Sequence, residues 1–326
     1  MNYRSISDLS FLTSKHASKV PQGVDLIVGI PRSGMLVASI IALKLNLPMT
    51  DLYSFIRNDE LKWGNTRTYK HHYLAKPQDA KQILLVDDSI ASGNSMREAL
   101  ASIREVYPGT VVTMVAFAKK QNISEVDLYF ETVEKPRVFE WNIMHHYYTT
   151  QACLDIDGVL CVDPTVEEND DGPRYRAFLA EARPLFLPSV QIAHLVTSRL
   201  EKYRPETEAW LAQHGVVYGQ LHMLDLPSAA ERRRLNAHHS FKARIYKEQL
   251  QTVLFIESEE LQALEIMRLS DKPVYCTSTN QMYIPGLKYS ALKGVALRKG
   301  QSLKRKILAR LRRLFARLPQ DPNARH

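Results

Sequence analysis

Cysteine is scarce in this chain: three residues in 326, at positions 153, 161 and 276. So sparse and odd a set excludes a disulfide framework, shows no metal-binding spacing and fits a reducing compartment. No apolar run reaches the roughly 18 residues that mark a transmembrane helix. Met1 to Ser14 is polar and lacks the apolar core of a secretory signal, so a cytoplasmic location is expected. Acidic residues are missing from one end. Lys272 to Gln320 holds twelve Lys and Arg and no Asp or Glu, more than the whole net charge of +8. The rest of the chain is therefore mildly acidic, and the asymmetry says more than the average. The length suits two domains.

What is present begins with Val86-Asp87-Asp88-Ser89-Ile90-Ala91-Ser92-Gly93-Asn94-Ser95. The apolar Gln82 to Leu85 before it reads as a buried strand, and Met96 to Ile103 after it as a helix. Two adjacent carboxylates at the carboxyl end of a strand can accept hydrogen bonds from neighbouring ribose hydroxyls. The small turn that follows offers N–H groups, two hydroxyls and a helix N-terminus to a phosphate. A plain strand–turn–helix with Asp88 or Ser89 as N-cap is the simpler alternative. Strands are also predicted at Asp25 to Ile30, Leu47 to Ile56, Leu84 to Asp87, Val111 to Phe117 and Val126 to Phe130, with a helix over Met35 to Leu45. Their alternation argues for a parallel sheet covered on both faces.

The ten-residue run resembles the 5-phosphoribosyl-1-diphosphate (PRPP) motif of type I phosphoribosyltransferases. The resemblance gives Asp87 and Asp88 the ribose hydroxyls, and Ser89, Ala91, Ser92, Gly93, Asn94 and Ser95 the 5-phosphate. Pro31-Arg32-Ser33-Gly34 is similar to the family's pyrophosphate loop. The aperiodic stretch from Arg57 to Asp79 resembles the start of its flexible catalytic loop, with Arg57 and Lys62 facing the diphosphate; a solvated basic loop is the alternative. The implied chemistry is displacement of pyrophosphate at the anomeric carbon, with Mg²⁺ bridging diphosphate and ribose oxygens. Val138 to Tyr148, rich in aromatics and His, either lines an acceptor site or packs between domains. His145 and Glu140 are candidate general bases there.

The pattern restarts at Ala152-Cys153-Leu154-Asp155-Ile156-Asp157-Gly158, an apolar strand ending in Asp-x-Asp-Gly. The first carboxylate can attack phosphorus; the second, on the same side of an extended strand, can exchange protons. A calcium loop would be polar before its first Asp, and this one is not. The signature resembles motif I of haloacid dehalogenase-type (HAD) phosphatases. Thr197 in His194 to Arg199 resembles motif II, and Lys242 motif III, with Lys247 as the alternative. Glu257 in Val253 to Glu259 resembles motif IV. The implied catalytic set is Asp155, Asp157, Thr197 and Lys242, and the implied Mg²⁺ ligands are Asp155, Asp157 and Glu257. Ser258 departs from the family, where a second acid stands. The interval from Asp157 to Thr197 is too short for a large cap.

Beyond these, Ser302 to Leu318 combines helical apolar spacing with seven Lys and Arg, which suits a helix lying on an anionic membrane. Docking on the chain's own acidic body is the alternative. No aromatic interleaving supports nucleic acid.

The expectation is an α/β chain of two doubly wound parallel-sheet domains with a basic amphipathic helix. Residues 1–148 would be a type I phosphoribosyltransferase, 149–285 a HAD-like unit with a minimal cap, and 286–326 the tail. The two resemblances together imply transfer of 5-phosphoribosyl from PRPP to a glycan or lipid-linked glycan, then removal of the 5-phosphate. That order is similar to the enzyme pairs of bacterial ribofuranose polysaccharide synthesis, on the inner face of the cytoplasmic membrane. Two rivals stand beside it: a nucleobase-salvage or regulatory transferase with a degenerate HAD unit, and a PRPP-sensing nucleic-acid binder without turnover.

Overall fold

The computed structural model describes residues 1–62, 74–235 and 237–287. The expected tail helix, and the middle of the expected catalytic loop, lie outside these residues.

The first half alternates strand and helix. It runs β1 (Asn2–Arg4), α1 (Ile6–His16), β2 (Leu26–Gly29), α2 (Ser33–Leu45), β3 (Met49–Asp51), α3 (Leu52–Arg57), β4 (Gln82–Ser89), α4 (Asn94–Val106), β5 (Thr110–Ala118), β6 (Leu128–Thr132) and β7 (Arg137–Phe139). Five strands form one parallel sheet in the order β3-β2-β4-β5-β6, and β1 pairs with β7 apart from it. Alternation along the strands sends Leu26, Val28, Ile83 and Leu85 to one core, and Ile27, Leu84, Val86 and Met114 to another. Helices cover both faces, which is why these strands read as unbroken apolar runs. Local signals agree: Ser5 and Asp8 form a reciprocal cap on α1.

One expected element was wrong. Leu47 to Ile56 is not a single strand; β3 ends at Asp51 and α3 follows. The Asp51 carboxylate accepts from the N–H groups of Tyr53 (2.9 Å) and Ser54 (3.1 Å), so a capping residue inside an apolar run turns strand into helix.

The second half contains β8 (Ala152–Leu154), α5 (Pro173–Glu181), β9 (Ile192–Leu200), α6 (Arg204–Gln213), β10 (Tyr218–Leu224), α7 (Ala229–Arg234), α8 (Ala237–Glu248), β11 (Leu254–Glu257), α9 (Glu260–Ser270), β12 (Val274–Cys276) and β13 (Gln281–Tyr283). Its sheet has the order β10-β9-β8-β11-β12-β13, parallel except for β13. Leu154, Leu195 and Ile256 face one core with Trp210; Cys153, Val196 and Phe255 face the other with Tyr246. Between Asp157 and Thr197 the only helix is α5, so no cap domain intervenes. The segment joining the halves is packed: Val138, Ile143, Met144 and Tyr148 belong to the core under the second sheet. No helix among the described residues is long and apolar enough to cross a membrane.

Candidate active sites at two sheet edges

In parallel α/β sheets, ligands bind beyond the carboxyl ends of the strands. Both Asp pairs lie at such an edge.

In the first sheet β4 runs through the pair and ends at Ser89, so Asp87 and Asp88 lie within the strand's last residues. Neither caps α4; that position falls to Gly93, at φ +78°, where a Cβ would strike Glu125 and Arg97. The Pro31–Gly34 turn lies against this strand. A Cβ on Gly34 would sit 2.6 Å from the Val86 carbonyl oxygen and 3.1 Å from Asp87 Oδ1. Only a glycine lets the turn come so close, and this approach brings the two expected PRPP loops together. Ser33, in that turn, is among the groups that favour the charged form of Asp88. Arg97 ties the loop down through the Ser92 carbonyl oxygen (2.8 Å) and Asn94 Oδ1 (2.6 Å).

The pair's electrostatics are one-sided. Burial, and then the neighbouring Asp88 charge, push the Asp87 carboxyl up to about 7. Burial also raises Asp88, against a hydrogen bond from the Trp141 indole, whose Nε1 donates to Oδ2 at 2.8 Å. No ion pair reaches either carboxylate among the described residues. Trp141 stacks on Phe139 with ring centres 4.9 Å apart and planes 2° apart, and Phe139 stacks on Phe117. The buried Arg137 donates to the Ile90 (2.7 Å) and Val133 (3.1 Å) carbonyl oxygens, bracing the same loop from below.

Trp141 and Arg137 were not singled out from the sequence, although Trp141 lies in the aromatic run that was. That run packs between the halves, and its members reach both. Trp141 touches the carboxylate pair, while His145 Nδ1 lies 3.1 Å from Ser189 Oγ in the second half. Glu140 is occupied at the start of α1, where it accepts from the Ile6 N–H (2.7 Å), so it is not placed as a base. Arg57 and Lys62 are exposed and pair locally with Asp59 and Glu60. Trp63 to Tyr73 lies outside the described residues.

At the second edge, Asp155 follows β8 and is 5 % exposed. Lys242 reaches it from α8: Nζ lies 2.6 Å from Asp155 Oδ2, 2.8 Å from Glu257 Oε2 and 3.2 Å from Gln262 Oε1. Lys247 is exposed, so Lys242 is the lysine of this cluster. One buried ammonium faces two buried carboxylates. It rises above its usual value despite burial, because both anions favour its charge. Burial, with Glu257 and Asp157 adding to it, pushes the Asp155 carboxyl up to about 7 although Lys242 pulls the other way. Asp157 pairs with Arg199, fully buried on β9, whose Nη2 lies 2.7 Å from Oδ1 and Nε 3.2 Å from both oxygens. Thr197 is fully buried on the same strand, its Oγ1 accepting from the Arg199 N–H (3.2 Å).

Ser258, where a second acid was expected, has a structural role. Its Oγ donates to the Asp157 carbonyl oxygen (3.4 Å) and packs on Gly158, at φ +74°, where a Cβ would overlap it. The donor types expected for Mg²⁺ are all close, yet they do not converge: Lys242 stands between Asp155 and Glu257, and Arg199 holds Asp157. No three carboxylates are arranged around a common point among the described residues. A cavity of about 850 Å³ opens beside Gly158 and Ser258, lined by Asp163, Glu259, Glu260, Phe186 and Thr277 to Thr279, without a Lys or Arg.

Comparison with known proteins addresses the first of these sites. Residues 3–151 match the phosphoribosyl transferase domain family. The N-terminal part of the chain carries a type I phosphoribosyl transferase domain. An adenine phosphoribosyltransferase of Cupriavidus metallidurans is 34 % identical over 83 residues, covering 23 % of this chain and 43 % of the relative. An orotate phosphoribosyltransferase of Sulfolobus acidocaldarius is 33 % identical over 98 residues, covering 29 % and 45 %. The chain thus spans less than half the length of these curated relatives. The Helicobacter pylori xanthine-guanine-hypoxanthine phosphoribosyltransferase structure aligns with a TM-score of 0.33 at 20 % identity, over 44 % of this chain and 92 % of that one. In this chain the phosphoribosyl transferase domain contains Asp87, Asp88 and the Pro31–Gly34 turn, and ends just before Asp155.

Proposed function

We propose that the chain is bifunctional. It transfers 5-phosphoribosyl from PRPP to an acceptor hydroxyl, and its second half, read as a HAD-type phosphatase, then removes the 5-phosphate to leave a β-ribofuranose residue. The observation that carries this reading is the buried Asp155–Lys242–Glu257 cluster, at the carboxyl edge of a second parallel sheet behind a phosphoribosyl transferase domain.

In the first step Asp87 and Asp88 accept from the ribose hydroxyls, the Ser89–Ser95 loop holds the 5-phosphate, and Pro31–Gly34 faces the diphosphate. The acceptor oxygen bonds to the anomeric carbon as the bond to pyrophosphate breaks; charge stabilisation and positioning do most of the work. Mg²⁺ carried with PRPP supplies neutralisation of the diphosphate. In the second step Asp155 attacks phosphorus and the ester oxygen leaves as an alcohol. Thr197 donates to a phosphoryl oxygen, Lys242 balances the added charge, and Asp157 gives a proton to the leaving oxygen; it then takes one from the water that attacks phosphorus, which breaks the Asp155–phosphorus bond and releases phosphate. Lys242 and Arg199 supply the positive charge that faces these carboxylates. The acidic, hydroxyl-lined cavity beside Asp157 favours an uncharged, hydroxyl-bearing leaving group over a polyphosphate, by charge alone. That supports a glycan acceptor, and the basic charge of the C-terminal sequence would bring a lipid-linked one on an anionic membrane within reach.

A nucleobase acceptor is the second reading. The named relatives act on adenine and orotate, and the Phe139–Trp141 stack beside Asp88 offers a flat apolar face. The test is to supply PRPP and Mg²⁺ with lipid-linked glycans or with free bases, and to follow pyrophosphate and then phosphate. Phosphate following pyrophosphate with glycans supports the coupled reading. Pyrophosphate with bases alone, and no phosphate, overturns it.

A further inference from the structure

Arg232 belongs to none of the expected motifs, yet it is 7 % exposed on the short helix α7. Its Nη1 donates to the Ser198 carbonyl oxygen at 2.7 Å. Among the described residues its Nε has no partner, and neither has the Oγ of Ser198, which is 8 % exposed. Two buried polar atoms left unsatisfied in one corner are unusual, because each forfeits its bond to water, at a cost of about 1–3 kcal/mol.

The position of this corner suggests its use. Ser198 stands between Thr197 and Arg199, so it shares the end of β9 with the hydroxyl assigned to the phosphoryl group and with the guanidinium on Asp157. Tyr175 feels the charges of Asp157, Arg199 and Arg232 together. His238 lies close enough to both Arg232 and Lys242 that, after burial, their charges are the next causes of its fall to about 4. Arg232 therefore belongs to the same buried neighbourhood as Asp157, Arg199 and Lys242. The β9 side of this edge is cationic, while the cavity on the β11–β12 side is acidic.

We propose that Arg232 and Ser198 form an anion-holding corner that takes an oxygen of the phosphate group bound at Asp155. The inference rests on the phosphatase reading and adds what orients the ester: its phosphate toward Arg232 and Ser198, its organic part toward the acidic cavity. A guanidinium and a hydroxyl, both already desolvated, suit a phosphate dianion and give no comparable partner to a neutral ester.

The test uses the full chain with inorganic phosphate as probe. Hydrogen exchange followed by peptide mass spectrometry locates binding, separating this site from the phosphate loop at Ser89 to Ser95. Wild type should gain phosphate-dependent protection in peptides covering 197–200. Ser198→Ala, which removes a hydroxyl without a partner, should keep the melting temperature and lose several-fold in phosphate affinity there. Arg232→Gln should lose about tenfold or more, and Arg232→Lys should recover part of it. Where p-nitrophenyl phosphate is hydrolysed, Arg232→Gln should raise KM far more than it lowers kcat. Wild-type protection that persists unchanged in Arg232→Gln and Ser198→Ala, with only a lower melting temperature for Arg232→Gln, makes Arg232 a mere tie between α7 and β9 and overturns the proposal. So does the absence of phosphate-dependent protection at 197–200 in wild type. Failure of the phosphatase reading shows separately, as protection at 197–200 without hydrolysis of any ester.

Discussion

Two acidic pairs stand at the edges of two similar sheets, and their surroundings are opposite. Asp87 is half-buried and Asp88 buried, with an indole N–H as the pair's side-chain donor from outside the loops, and among the described residues no cation pairs with them. Asp155 and Asp157 are each matched by a buried cation, Lys242 and Arg199. Both Asp87 and Asp155 are pushed up to about 7, for different reasons. At the first pair, burial and like charge act with little against them. At the second, burial and two further acids outweigh one ammonium. An uncompensated pair is suited to accept hydrogen bonds from ribose hydroxyls that arrive with the substrate. A compensated pair is organised in advance, as a nucleophile and its proton partner must be.

The largest effect is expected from changing Asp155, the proposed nucleophile. Asp155→Asn should lower phosphate release by more than about a thousandfold and leave pyrophosphate release intact, measured on the same sample. Loss of both would mean that the two edges are not independent. Next in size is Lys242→Met, which leaves Asp155 and Glu257 buried without their counter-charge. A loss of about 3–5 kcal/mol is expected from denaturant unfolding, while a change under about 1 kcal/mol would show that water or another cation already screens the pair.

Trp141→Phe keeps the stack on Phe139 and deletes the donor to Asp88. A bond to a charged group is worth about 1.5–3 kcal/mol, so denaturant unfolding should show a loss of that order, and PRPP should bind more weakly by titration because the carboxylate is no longer held in place. The smallest effect is pH-dependent. Burial and the Asp88 charge push the Asp87 carboxyl up to about 7 in the folded chain, against about 3.9 when unfolded. The native state therefore holds more protons between those values, and stability should fall as pH rises through that window. Asp87→Asn should flatten the slope in thermal melts without PRPP, and PRPP affinity should rise from pH 6 to pH 8 as Asp87 ionises.

Much of this was legible in the residues, for physical reasons. Val28, Leu84 and Phe255 are buried on strands covered from both sides, so apolar runs announced the two sheets. The Asp pairs stood out because a strand rarely ends in adjacent acids without a use for them. Leu47 to Ile56 misled because periodicity is blind to an N-cap such as Asp51. The partners of the acids were hidden for another reason: Trp141 is 53 residues from Asp88, and Arg232 is 34 from Ser198. Only the folded sheet edge brings such residues together. Arg199 followed Thr197 in plain view, but its hold on Asp157 depends on β8 and β9 being neighbours.

If the chain performs the two proposed chemistries in order, the second must wait for the first. A time course of pyrophosphate and phosphate from PRPP, Mg²⁺ and a glycan acceptor, using wild type and Asp155→Asn side by side, tests that coupling. Wild type should release pyrophosphate first and phosphate after a lag. Asp155→Asn should release pyrophosphate alone, with a phosphoribosylated acceptor accumulating. An unchanged phosphate yield in Asp155→Asn, or phosphate release that does not depend on PRPP turnover, would contradict it.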